Sequence, residues 1–215
     1  MRYGSRNWAV AAWAKRIGMA LALFLPMATG YSASKSVLVL GDSLSAEYGL
    51  ARGSGWVALL EQRLQKEKID ASLINASISG ETTRGGVTRL PELLKRHPSV
   101  VVIELGANDG LRGLSLGAAE NNLQSMIAIA QSAHAKVVLI GIQLPPNYGP
   151  DYTSRFAGMF GKLAKNSKAA LVPFLLDGIA DKPQLLQADN LHPLAEAEPI
   201  LLNNVWPTLK PLLTK

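Results

Sequence analysis

Cysteine is absent from all 215 residues. That excludes disulfides, thiol nucleophiles, thiolate metal sites and a lipid-modified N-terminal cysteine. Histidine is almost as scarce: His97, His134 and His192 are the only three, too few for a histidine-rich metal site. Aromatic residues make up 6% of the chain, and neither a low-complexity tract nor an internal repeat is visible. No G-x-G-x-x-G or P-loop pattern occurs, which argues against a doubly wound nucleotide binder. Acid is missing from the first thirty residues, where Arg2, Arg6, Lys15 and Arg16 are basic.

That basic lead is followed by an apolar run, Ile17 to Leu25, and then by small residues. The pattern is that of a secretory signal peptide over residues 1–30. Ala28-Thr29-Gly30 and Tyr31-Ser32-Ala33 are the two candidate cleavage regions, which places the cut between residues 28 and 33. An uncleaved anchor is the alternative, but the run is short for a membrane span, and Pro26 and Gly30 interrupt it. Residues 34–215 are then the mature domain, expected in the periplasm without a stable membrane span. Residues 1–30 carry four of the 22 basic residues and none of the 16 acids. The mature balance of 18 − 16 = +2 gives little support to a nucleic-acid partner, and no clustered basic stripe appears.

What is present is a regular alternation. Apolar runs at 36–41, 71–76, 99–105, 136–142 and 169–173 predict strands. Helical spacing predicts helices over 56–64, 87–96, 116–133 and 152–165, and from 195 to 202 or beyond. Strands apolar on both faces and separated by helices predict a five-stranded parallel sheet covered on both sides. Right-handed crossovers then place every strand's C-terminal end on one edge, where ligand sites of such sheets lie.

Polar, glycine-containing loops follow those strands. Gly41-Asp42-Ser43-Leu44 follows the first, Asn75 to Thr82 the second, Gly106-Ala107-Asn108-Asp109 the third, and Asp189-Asn190-Leu191-His192-Pro193 comes after the last. Together they offer a hydroxyl, backbone donors, a side-chain amide and an acid–imidazole pair. Acyl transfer needs that set. A serine hydroxyl attacks well only when a base removes its proton, and imidazole suits the task. A carboxylate orients the imidazole, and Asp189-x-x-His192 lets the two meet within one turn of chain. Preset donors then hold the tetrahedral oxyanion, each worth about 3 kcal/mol in comparable sites. The Ser43 N–H, the Gly80 N–H and the Asn108 amide are the candidates.

These blocks resemble those of the SGNH (GDSL) hydrolases: Ser43 in "GDSLS", Gly80 in "SISGET", Asn108 in "GAND", and Asp189 and His192 in "DNLHP". The resemblance runs from about Ser36 to Leu213. It extends, through "GIQLPPNYGPDY" and "NVWPTLKPLL", to the exported bacterial subgroup described as thioesterase I, lysophospholipase L1 or arylesterase. It implies a three-layer α/β/α sandwich of flavodoxin-like strand order, with Ser43, His192 and Asp189 as the triad and no metal or organic cofactor. The implied substrates are small acyl esters, thioesters and lysophospholipids. It also suggests that the loop through Leu144, Pro145, Pro146, Asn147 and Tyr148 borders the acyl groove. A carbohydrate O-deacetylase is the alternative enzyme, and a non-catalytic acyl-lipid binding protein the alternative of another class. A monomer is expected.

Each residue also has a plainer reading. Ser43 alone could be a turn residue, Gly80 could serve only its backbone angles, and Asn108 could be a left-handed turn residue. Asp42 and Asp109 read as structural loop acids. His97 and His134 sit at polar helix ends and lack an acid three residues before them. Gly113-Leu114-Ser115-Leu116-Gly117 matches the G-x-S-x-G elbow of α/β-hydrolases. That elbow requires a strand directly before the serine, and residues 108–112 intervene, so Ser115 reads as a helix-entry residue.

Overall fold

The computed structural model describes residues 34–214; the expected signal peptide and its cleavage region lie outside them. The strands are β1 (Lys35–Gly41), β2 (Ala71–Asn75), β3 (Val100–Glu104), β4 (Lys136–Ile140) and β5 (Ala170–Val172). All pair in parallel, in the order β2-β1-β3-β4-β5, which is the expected flavodoxin-like order. Val37 to Leu40, Val100 to Ile103 and Val137 to Ile140 are buried, so β1, β3 and β4 are apolar on both faces, as strands covered by helices must be. The edge strands differ: β2 alternates less strictly and stays partly exposed, and β5 is only three residues long.

Among the described residues, six α-helices connect and cover the sheet: α1 (Trp56–Lys66), α2 (Thr83–Leu94), α3 (Ala107–Leu111), α4 (Leu116–Ser132), α5 (Pro150–Ser167) and α6 (Glu198–Leu213). The crossover from β1 to β2 runs opposite to those that follow. Right-handed connections therefore put α1 on one face and α2, α4 and α5 on the other. Contacts agree: α1 packs against α6, while α2 meets α4 and α4 meets α5. Trp56, Phe156 and Phe160 are the largest side chains fully buried in these layers.

Two elements depart from the sequence expectation, and a third fills in an end that was left open. α2 starts at Thr83, four residues before the expected Val87, with the Thr82 hydroxyl capping it through the Gly85 N–H. Gly85 and Gly86 hide this first turn, because glycine disfavours helices by propensity. Packing overrides that: a Cβ on Gly86 would lie 2.5 Å from the Leu105 side chain. The segment after β3, expected to be a loop, is the short helix α3. Finally, α6 runs on to Leu213 through Pro207 and Pro211. Leu201, Val205, Trp206, Leu209 and Leu213 are buried along one stripe, while both prolines lie on the exposed side, where the lost backbone bonds leave carbonyls open to water.

Candidate active site

The sheet reverses its direction of winding between β1 and β3, and the crevice beyond their C-terminal ends is the expected place for a ligand. Ser43 follows β1 there. Its Oγ lies 2.8 Å from His192 Nε2, and His192 Nδ1 lies 2.7 Å from Asp189 Oδ2. The Asp189–His192 turn is built locally. Asp189 Oδ1 accepts the N–H groups of Leu191 and His192 at 2.9 and 3.0 Å, and Asn190 takes a left-handed φ of 56°. The Gln187 N–H donates to the His192 carbonyl at 2.7 Å, and Leu186 bridges Pro193. Partial burial pushes the Asp189 carboxyl upward, but the bonds from the His192 N–H, its ring and the Leu191 N–H outweigh this. The group is held below the usual carboxylate range.

Gly80 stands opposite, with a φ of 78° that disfavours any side chain. Among the described residues, neither its N–H nor that of Ser43 donates to a protein acceptor. Asn108 lies on α3 and is not a left-handed turn residue; Gly106, with φ 122°, makes the turn before it. The Asn108 amide nitrogen donates to Asp42 Oδ2 at 3.1 Å and to the Glu81 carbonyl at 3.0 Å. Its oxygen accepts from Arg112 at 3.3 Å, and Arg112 also holds the Gly80 carbonyl at 3.0 Å. One guanidinium thus links the Gly80 loop to the Asn108 side chain and fixes the amide with its nitrogen toward Asp42 and the Glu81 carbonyl.

Two acids lie beneath Ser43. Asp42 is fully buried and accepts the Leu44 N–H at 3.1 Å besides the Asn108 amide. Burial raises its carboxyl to about 6, against these bonds and the nearby His192. Glu104, at the end of β3, is also fully buried. It accepts the Asp42 N–H at 3.2 Å and the Ser45 hydroxyl at 2.7 Å. Burial, together with the Asp42 charge, raises it well above the ordinary range. Asp109 has a structural part, as expected: its two oxygens accept the Thr83 N–H and hydroxyl at 2.9 and 2.6 Å.

Ser43 and His192 open onto a pocket of about 80 Å³. Its wall is apolar, from Leu44, Leu111, Ile142, Leu144, Leu176 and Leu191. Of the expected loop, Leu144 and Pro145 line this pocket. Pro146 borders a neighbouring depression, while Asn147 and Tyr148 border a third, shared with Asp189. The Tyr148 hydroxyl is fixed to the Leu111 carbonyl at 2.9 Å. Ser115 is not part of the site. It caps α4, its hydroxyl accepting the Ala118 N–H at 3.3 Å. His97 and His134 are exposed at left-handed positions beyond helix ends.

Several contributors escaped the sequence reading. Tyr48 packs against His192, with ring centroids 4.5 Å apart and the rings tilted by 41°, and nothing in its local sequence signals this. Leu176 reaches the pocket from the loop after β5, and Leu191 from the block that carries His192. Glu104 did carry a signal, as the lone acid in "VVVIEL", and Arg112 lies one turn after Asn108.

The GDSL-like lipase/acylhydrolase family model matches residues 39–198. Esterase TesA of Pseudomonas aeruginosa is 52% identical over 192 residues, covering 89% of this chain and 96% of that protein. Thioesterase 1/protease 1/lysophospholipase L1 of Escherichia coli strain K12 is 40% identical over 193 residues, covering 89% and 91%. A crystal structure of TesA superposes with a TM-score of 0.81 at 53% identity, covering 83% of this chain and all of that one.

Proposed function

The chain belongs to the GDSL-like lipase/acylhydrolase family and is an ester hydrolase, and from that premise we propose that it cleaves carboxylic esters and thioesters through a Ser43–His192–Asp189 triad. Ser43 Oγ attacks the acyl carbonyl while His192 Nε2 takes its proton. The Asp189 carboxylate, ionised at neutral pH, holds the Nδ1–H tautomer and stabilises the imidazolium that forms. The oxyanion is held by the Ser43 and Gly80 N–H groups and by the Asn108 amide, for which it competes with the Asp42 carboxylate. His192 returns its proton to the leaving alcohol or thiol, then activates the water that hydrolyses the acyl-enzyme.

The observation that carries this reading is the unbroken line of contacts from Ser43 Oγ to His192 to Asp189, 2.8 and 2.7 Å long. The apolar wall supports an acyl chain as the group bound beside the serine. Acyl esters, acyl thioesters and lysophospholipids are the substrates proposed. Residues 1–30 direct export to the periplasm and are removed, in this reading.

Hydrolysis of p-nitrophenyl esters from acetate to palmitate tests it, using wild type, Ser43→Ala and Ser115→Ala. The expected result is turnover of acyl chains by wild type and Ser115→Ala, and its loss in Ser43→Ala. Loss only in Ser115→Ala would sink the triad assignment. Confinement to acetyl esters would favour a carbohydrate O-deacetylase.

A further inference from the structure

Glu104 is the one charged residue type within β3, whose other members are Val100 to Ile103. It occupies the register position beside Gly41 in β1. The two positions fit each other: a Cβ on Gly41 would lie 2.6 Å from Glu104 Oε2 and 2.7 Å from Ser45 Oγ. The space left by the missing side chain is where Oε2 meets both the Asp42 N–H and the Ser45 hydroxyl. These donors flank Ser43 in sequence. Glu104 Oε1 has no hydrogen-bond partner among the described residues, and no cation pairs with the carboxyl.

A buried acid in an apolar strand is costly, and an ionised one far more so. Asp42, from the turn after β1, adds its charge to the surroundings of Glu104, and Asp42 itself feels Asp109 of α3 and His192 of the C-terminal loop. A charged Glu104 would add negative charge below the point where the oxyanion forms. A neutral Glu104 keeps its acceptor oxygen and adds none. We propose that Glu104, as a neutral acid, is a positioning residue for the reaction. It pins the turn on both sides of Ser43, so that the Ser43 N–H faces the oxyanion and the Ser43 hydroxyl faces His192 Nε2.

This inference rests on reading Ser43 as the nucleophile. The test compares wild type, Glu104→Gln, Glu104→Leu, Ser45→Ala and Ser43→Ala with p-nitrophenyl butyrate between pH 5 and 10. For the variants that keep Ser43, rates are normalised to active sites titrated with a p-nitrophenyl phosphonate, so unfolded protein does not count; Ser43→Ala is compared per mole of folded protein. Glutamine matches the neutral acid in charge and keeps an acceptor oxygen, though its amide nitrogen carries two N–H donors where the acid has one O–H. Glu104→Gln should retain kcat within about threefold across this range, because it keeps an uncharged acceptor beside the Asp42 N–H and the Ser45 hydroxyl. Glu104→Leu should lose roughly tenfold or more in kcat per titrated site, with little change in KM, because an interaction serving the transition state is lost. Ser45→Ala, which removes the same contact from the other side, should lose kcat in the same sense.

Wild-type kcat per site in both Glu104→Leu and Ser45→Ala would reduce Glu104 to a packing residue and overturn the proposal. Equal loss in Glu104→Gln and Glu104→Leu would overturn its neutral form. Turnover surviving in Ser43→Ala would instead overturn the nucleophile assignment, which separates the two failures.

Discussion

At the residue scale, the Asp189–His192 pair bears directly on rate. Asp189 uses one oxygen for two backbone N–H groups and the other for the imidazole. In Asp189→Asn the side-chain oxygen can serve the backbone, but the amide nitrogen then faces Nδ1 and selects the wrong tautomer. We expect kcat to fall roughly a hundredfold or more with the melting temperature little changed, measured by steady-state kinetics beside thermal unfolding. Gly41 tests the floor of the site in the opposite way. Gly41→Ala forces a methyl against Glu104 and Ser45 and should destabilise the fold by about 1–3 kcal/mol, read from urea unfolding. Ser43 and Asn108 could be placed at one sheet edge because each stands in a short polar block close after an apolar run, while Asp189 and His192 were paired by their three-residue spacing. Tyr48 was not, because its contact with His192 joins residues 144 positions apart that only the fold brings together.

At the element scale, two helices are anchored by buried acids. Asp109 on α3 receives both Thr83 donors at the start of α2, and Asn122 of α4 donates to the same hydroxyl at 3.0 Å. Thr83→Val keeps the shape and removes the hydroxyl, leaving Asp109 and Asn122 each one partner short. A loss of about 1–3 kcal/mol is expected in urea unfolding. Glu198, at the start of α6, accepts the Trp56 N–H that opens α1 at 2.6 Å. Burial raises its carboxyl from 4.5 to about 7, the Trp56 bond offsetting part of this and Glu47 adding to it. The folded state therefore holds the proton more tightly than the unfolded chain. The resulting stabilisation is complete below pH 4.5 and is lost as pH rises through about 7. Glu198→Gln should flatten the fall in unfolding free energy across that window by up to about 3 kcal/mol, measured by urea titration at a series of pH values. The raised Asp42 and Glu104 act in the same direction, so a residual slope remains. The five strands were legible because continuous apolar runs mark buried parallel strands. The short α3 was not, since five residues carry no helical period, and the glycines of α2 and prolines of α6 opposed conformations that packing imposed.

At the scale of the whole molecule, strand order does the assembling. The order β2-β1-β3-β4-β5 places the loops after β1 and β3 next to each other, so residues 43 and 108 meet across one crevice and the chain's last long loop returns His192 to it. The alternation of strands and helices predicted this edge without any coordinates. The pocket's depth was not predictable, because Leu176 and Leu191 reach it through tertiary packing alone. Every later step depends on the Ser43 hydroxyl forming the covalent intermediate. The most direct test is to inactivate the protein with diethyl p-nitrophenyl phosphate, digest it, and locate the added phosphoryl group by tandem mass spectrometry. One adduct per chain is expected, on the peptide carrying Ser43, with loss of esterase turnover in proportion to labelling. An adduct on Ser115, or complete inactivation with Ser43 unmodified, would contradict it.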